Sequence, residues 1–409
     1  MGIRVQILDG EAEARFDPAR PAWVQRVEGR ERVRIHLPGE APQGFVHRFE
    51  LAREPTGGAA VSDALALEDA DFSSAWDAPR DAARRAIDPE LRALDHATAR
   101  ERFLAMFAER GVLAVQDAAL FLAEWLRAHP SESGRVLDDL ASGALDDVAR
   151  SAAILALELA GTDESRDVLA AALTDARLSE LDRARAASAL ADHGVPTRRA
   201  ADLLLTQARE SSSRMVANVS LLGVGTMAKR TAADDPLRAE LRDALHAELD
   251  RAATPAAEVV VIDAIGNSSD DAFAPALERR LGADRPDVRA HAAEALGRLS
   301  PEVARPRLLA RLEAERSPRV STAILRSLGR AHAEGSDLTE AELSLAARIL
   351  AASSSVEERA AVIEWVGRAS HQRAAREVLA AHFAREPNVR LKQRIGAFVG
   401  AAELRELAR

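Results

Sequence analysis

The side chains best suited to hold a metal ion or move a proton are ten histidines, His36, His47, His96, His129, His193, His246, His291, His332, His371 and His382. The metal-like helical pairing that stands out is His291 with Glu294, one turn apart on one face, and two groups are half of what a zinc site takes. No His-Glu dipeptide, HExxH or GxSxG occurs. Gly223–Lys229, "GVGTMAK", has glycines and a lysine, but a phosphate loop needs Gly-x-x-x-x-Gly-Lys-Ser/Thr after a strand, and this stretch lies in helical sequence. Residues 264–271, "AIGNSSDD", pose a harder question, since a glycine, an amide, two hydroxyls and two carboxylates in a row suit a phosphate cradle, a cation loop or a plain turn. The absence of cysteine removes disulfides, thiolate catalysis and cysteine-ligated metals. No catalytic, cofactor-binding or metal-ligating set emerges, so a non-enzymatic protein is expected, with an unrecognised enzyme site as the remote alternative.

The elements that carry these residues are set by composition. Of 409 residues 47% are hydrophobic and 29% charged, yet only 3% are aromatic and none is tyrosine. The core must be built from Ala, Leu and Val, which with abundant Arg and Glu favours helices. A net charge of −10 argues against a nucleic-acid partner, which usually requires a basic face. No apolar run is long enough to span a bilayer. The start "MGIRVQILDG" shows neither the apolar stretch of a signal peptide nor a myristoylation pattern, so a soluble chain of open compartment is expected.

Three regions differ in pattern. Residues 1–53 alternate apolar and polar between glycine-bounded turns, predicting a short β-strand segment. Residues 54–87 combine Gly, Pro and Ser with an acidic run and predict a linker, in which Phe72 and Trp76 stand one helical turn apart. Residues 88–409 are helical and repeat. Glycines closing apolar helical stretches recur at Gly161, Gly194, Gly266, Gly297, Gly329, Gly367 and Gly400, at intervals of 31 to 38 residues except for one longer interval, 194 to 266. That interval has room for another unit ending near "LLGVG". Ile265, Leu296, Leu328, Val366 and Val399 precede five of the glycines, and Val261, Ala292, Ile324, Val362 and Ile395 stand four residues earlier, on the same helical face. This is the period of a helix-pair repeat, and such repeats bury their apolar faces only by stacking into an α-solenoid.

Within that register the glycines predict turns between paired helices, where a left-handed residue costs glycine least. Asp88-Pro89, Asp235-Pro236, Thr254-Pro255, Ser300-Pro301 and Ser317-Pro318 predict helix starts, each pairing an N-cap oxygen with a proline at the first helical position. "AIGNSSDD" becomes the connection inside one repeat: Gly266 ends a helix, Ser268 or Ser269 caps the next, and Asp270 and Asp271 favour its positive end. Arg280 and Arg311 both follow their glycines by fourteen residues and predict a stacked stripe for an acidic partner or anionic headgroups, unless Glu278, Glu313 and Glu315 balance it as a solvated face.

Residues 148–230 resemble the helical domain of the large lipid transfer proteins, the family of vitellogenin and microsomal triglyceride transfer protein. The likeness rests on "AILALELAGTDESRDVLAAAL", "LSELDRARAASALADHGVPTRRAADLLLTQAR" and "SLLGVGTMAKR". Leu159-Ala160-Gly161-Thr162, Val195-Pro196-Thr197 and Gly225-Thr226 fall in the family's order, and "IDAIGNSSDDAFAPALERRL" with "VRAHAAEALGRLSP" extends the similarity to about residue 335. The resemblance implies a two-layered, horseshoe-shaped α-superhelix of HEAT-like repeats and a lipid-transport or lipoprotein-assembly role. The sequence departs from that family in its lack of cysteine, its short β region and the absence of the later β-sheets that enclose the lipid. The expected partner is therefore a lipid or, alternatively, a protein docked on a general HEAT-like scaffold.

Overall fold

The computed structural model describes residues 4–17, 20–36, 43–52, 89–332, 335–400, 403, 404 and 406. The linker expected at 54–87, its Phe72 and Trp76, and the cap expected at Asp88 lie outside them. The chain divides into two compact units, Met1–Ser73 and Ser74–Arg409. In the first, β1 (Arg4–Asp17), β2 (Arg20–His36) and β3 (Gln43–Ala52) form an antiparallel sheet in that order. Val33 of β2 faces Ile7 on one side and Phe45 on the other, and the β1–β2 register shifts between Ile7 and Asp9 and again near Phe16.

The described part of the second unit is all helix: α1 (Pro89–Ala93), α2 (His96–Arg110), α3 (Val115–Ala128), α4 (Ser133–Ala141), α5 (Asp147–Ala160), α6 (Asp163–Thr174) and α7 (Glu180–Asp192) come first. They are followed by α8 (Arg198–Glu210), α9 (Arg214–Arg230), α10 (Pro236–Arg251), α11 (Pro255–Ser268), α12 (Ala274–Leu281) and α13 (Pro286–Leu296). The last are α14 (Pro301–Ala314), α15 (Pro318–Arg330), α16 (Glu340–Ala352), α17 (Val356–Gly367), α18 (Arg373–Phe383) and α19 (Val389–Val399). From α3 onward the helices alternate between two layers. Odd-numbered helices stack on one another from α3 to α19, and even-numbered ones form the second layer.

Local sequence explains the starts. Asp235 accepts a hydrogen bond from the Leu237 amide at 2.9 Å, and Thr254 from Ala257 at 3.2 Å, each ahead of a proline. Ser300 and Ser317 occupy the N-cap positions of α14 and α15 without a capping bond from their own side chains. The Ser300 hydroxyl donates instead to Asp271 at 2.7 Å, and the Ser317 amide donates to Glu315 at 2.9 Å.

The odd layer forms the dense part of the core, because small residues let its helices approach closely. Ala152, Ala156, Ala186, Ala187, Ala264, Ala292 and Ala293 are fully buried there. A Cβ on Gly297, at the end of α13, would stand 2.5 Å from Cβ of Ser327 on α15. At Gly225, inside α9, it would meet the Ala264 carbonyl of α11, 2.8 Å from the carbonyl carbon. Even helices approach one another less closely, with grooves of about 360 Å³ between α6 and α8 and about 420 Å³ between α16 and α18. A stack packed more tightly in one layer bends toward it, so the odd helices line the concave side. Trp125, fully buried on α3, anchors the first repeats by donating its indole N–H to the Leu94 carbonyl at 3.0 Å and stacking on His129.

The glycine series has two roles where the sequence predicts one. Gly161 (φ 68°) and Gly194 (φ 41°) are left-handed turn residues. Gly266, Gly329 and Gly367 lie within α11, α15 and α17, and Gly297 ends α13 in the right-handed region; none of the four is a left-handed turn. At Gly266, Gly297 and Gly367 a side chain would collide with or crowd the next odd helix, with Ala295 3.0 Å from the Cβ position of Gly266; at Gly329 the nearest atom, Nε of Arg368 at 3.6 Å, is in ordinary contact. "AIGNSSDD" is corrected accordingly. Helix α11 runs through Gly266 to Ser268, the left-handed residue is Ser269 (φ 49°), and Asp270 caps a short 3-10 turn at Asp271–Phe273 by accepting from the Ala272 amide at 3.0 Å. Asp271 reaches into the next repeat, to the Ser300 amide and hydroxyl.

Candidate functional site

The expected arginine stripe is not assembled. Arg280 on α12 pairs with Glu258 of α11 at 3.2 Å, whereas Arg311 on α14 pairs with Glu315 at 2.6 Å. Both guanidiniums are used within the fold. Glu315, almost fully buried, also takes Arg289 of α13 through two bonds of 2.9 and 3.0 Å and the amides of Arg316 and Ser317. Burial opposes its ionisation, but these donors outweigh burial and hold its pKa down at about 2. Two repeats on, Arg359 and Glu386 repeat the clasp, with His382 and the Asn388 amide as additional donors.

His291 bonds across to Asp263 of α11 at 2.8 Å rather than to a metal, and that bond raises its pKa above the ordinary histidine value. Among the described residues no group of three or more His, Asp or Glu is placed to hold a metal ion. His193 lies 2.8 Å from the Ser165 hydroxyl, but both are buried and that hydroxyl already closes the capping box of α6 with Thr162. Burial first, then Arg166 and Arg230, push His193 down to about 4. A hydroxyl out of solvent's reach and committed to a cap has no room to attack a substrate. "GVGTMAK" lies inside α9, where Gly223 and Gly225 serve helix stacking.

The concave face carries the arrangement with most scope for binding. In two places neighbouring odd helices are bridged there by an ion pair. The base stands six residues before one repeat's glycine, and the acid three before the glycine of the preceding repeat: His291 with Asp263, and Arg394 with Glu364. In the repeats between, the register puts Ala323 opposite Glu294 and Ala361 opposite Arg326. The missing side chains leave an open groove of about 430 Å³ across α13, α15 and the start of α17, lined by His291, Glu294, Arg319, Thr322, Arg326 and Glu357 among others. Arg298 and Arg330, each directly after its glycine, stand beside it, and Arg298 donates to Asn267 at 2.5 Å. The His291–Glu294 spacing signals this place in the sequence; Arg319 and Arg326 have no such local mark, and only the alanines facing the acid and base positions betray the gap.

Residues 242–329 match the profile of HEAT repeats. These HEAT repeats run from α10 to α15, and the helical unit as a whole is an α-solenoid of stacked HEAT-like pairs. No curated protein matches the sequence. Among solved structures the chain is similar to the karyopherin Kap121p bound to the extreme C-terminus of the protein phosphatase Cdc14p, at 15% identity and TM-score 0.48, over 73% of this chain and 36% of that one. It is similar to Kap121p bound to Pho4p at 14% and 0.47, over 75% and 38%. A structure of lipovitellin describing lipid–protein interactions matches at 13% and 0.38, over 93% and 38%. The chain thus spans little more than a third of the length of these structures' chains. Among the described residues no helix is long and apolar enough to cross a membrane.

Proposed function

We propose that the protein is a non-enzymatic scaffold that holds another protein against the concave face of its HEAT-like solenoid. The open groove across α13, α15 and α17 carries this reading: between two bridged places, His291–Asp263 and Arg394–Glu364, the face is left with unbridged acid and base side chains. Further along the same face the exposed Met215 of α9 adds an apolar contact. Mixed apolar and charged surface on a rigid concave scaffold suits protein recognition, where a few anchors carry the energy and charges set the register. Purification of the full chain with its partner from native cells, followed by hydroxyl-radical footprinting, tests this. Protection of odd-helix faces between α9 and α17 is expected. Protection confined to the even helices, or no stoichiometric protein partner, refutes it.

The lipid-transport version implied by the resemblance of residues 148–230 stands second. Its supporting feature is the groove between α16 and α18, lined by Leu343, Ala347, Leu350 and Val378 with Glu340, Glu377 and Arg385 at its edge. Co-purifying lipid in a solvent extract, lost in Ala347→Glu, supports that version; a lipid-free extract removes it.

A further inference from the structure

We infer that the concave face between α13 and α17 takes an extended acidic peptide segment of the partner protein, received by Arg298, Arg319, Arg326, Arg330 and Arg368. This rests on the protein-scaffold reading and specifies the partner's chemistry. All five residues are exposed, on or directly after α13, α15 and α17, and none forms an ion pair with a carboxylate among the described residues. Several other arginines of the odd layer are held in ion pairs, Arg150 and Arg185 with Asp182 and Arg394 with Glu364; what sets the five apart is that they share one stretch of the face, from α13 to α17. Guanidiniums gathered on one face repel one another, and an anionic ligand would relieve that repulsion.

Their mutual proximity is felt at Arg330, whose pKa is lowered, first by partial desolvation and also by Arg298 and Arg326, against the pull of Glu294. Two acids share this face, Glu294 near Arg330 and Glu357 near Arg326, but neither closes an ion pair with any of the five, and Glu364 is held by Arg394. The row climbs from α13 through α15 to α17, so a ligand meeting all five must bridge several repeats, as an extended chain with repeated carboxylates does. Guanidinium forks favour carboxylates in that setting because each can give two parallel bonds.

The test is fluorescence anisotropy of labelled decaglutamate with the full chain at low and physiological salt. Saturable binding that weakens with salt is expected, with at least a tenfold loss in Arg319→Glu/Arg326→Glu and no comparable loss in Arg279→Glu/Arg348→Glu on the even helices. Circular dichroism checks that both variants fold, and Arg326→Gln gives a milder second reading should the double reversal not fold. Absence of decaglutamate binding, equal loss in the two double variants, or equal binding of decalysine or decathymidylate overturns the inference. If decaglutamate does not bind while the partner's footprint still falls on the odd helices, the acidic-segment inference fails and the scaffold reading stands.

Discussion

Replacing Gly225 by alanine tests the close-packed odd layer directly. In an open helix the change stabilises by about 0.5–1 kcal/mol, because glycine loses more backbone freedom on folding. At Gly225 the added methyl would stand 2.8 Å from the Ala264 carbonyl carbon, 0.6 Å inside the 3.4 Å at which ordinary contact begins, and still closer to its oxygen. Neither group can turn aside, since both belong to helix backbones, so α9 and α11 must separate and loosen the fully buried Val224, Ala264 and Ile265 around them. Overpacking of this kind costs about 1–3 kcal/mol or more, which outweighs the propensity gain and predicts a net loss of about 2 kcal/mol. In a unit as long as Ser74–Arg409 that lowers Tm by roughly 3 °C. Gly396 of α19 is the control: its nearest neighbour to a new methyl is the Leu404 side chain at 4.0 Å, so Gly396→Ala should raise Tm. Thermal unfolding followed by circular dichroism reads both. A Gly225→Ala protein as stable as the parent would refute the account of the layer.

Other substitutions probe separate links. Glu315→Ala strands Arg289, which is largely buried, and should cost about 3–5 kcal/mol in urea unfolding, with Glu386→Ala similar through Arg359. Asp235→Ala should cost about 1 kcal/mol as a lost cap, while Ser317→Ala should stay within about 0.5 kcal/mol because the Ser317 side chain makes no capping bond. Ser269→Gly should stabilise by up to about 1 kcal/mol by relieving a left-handed serine. His193, held at about 4, stays neutral in the folded protein while the unfolded chain takes a proton below about 6.5. Stability is therefore complete above pH 6.5 and falls toward pH 4, by up to about 3 kcal/mol. Urea midpoints at pH 7, 6 and 5 should show a slope that is smaller in His193→Gln. His332, also lowered, adds to the slope and His291, raised, opposes it, so the difference between parent and variant is the measure.

The repeat was legible in the sequence because each unit must present the same apolar face to the same kind of neighbour. That requirement writes Ile265, Leu296, Leu328 and Val366 at matching positions, and all four are fully buried or nearly so. Helix starts were legible at Asp235 and Thr254 because a cap is local, spanning three residues. Ser300 and Ser317 show the limit. Their positions are right, but the Ser300 hydroxyl is drawn to Asp271 of another repeat, and at Ser317 it is the amide, not the side chain, that bonds, to Glu315. Arg280 and Arg311 share a register position yet reach different acids, since a long guanidinium pairs with whichever carboxylate the packing brings near. The groove at Arg319 and Arg326 was hidden for the same reason, being made by what faces them and not by their own spacing.

The sequence by itself determined that the chain is a stack of helix pairs and where its glycines recur. It left open why they recur, because a glycine is favoured wherever a Cβ is unwelcome, and two different causes produce that. At Gly161 the cause is the backbone, left-handed at φ 68° with open space around it. At Gly297 the backbone is ordinary, and the cause is Ser327 on the next helix. The second is a distance between residues thirty positions apart, and only the packed tertiary structure sets it. The same is true of Gly266 in "AIGNSSDD": the turn begins at Ser269, and the glycine is there to let Ala295 come close.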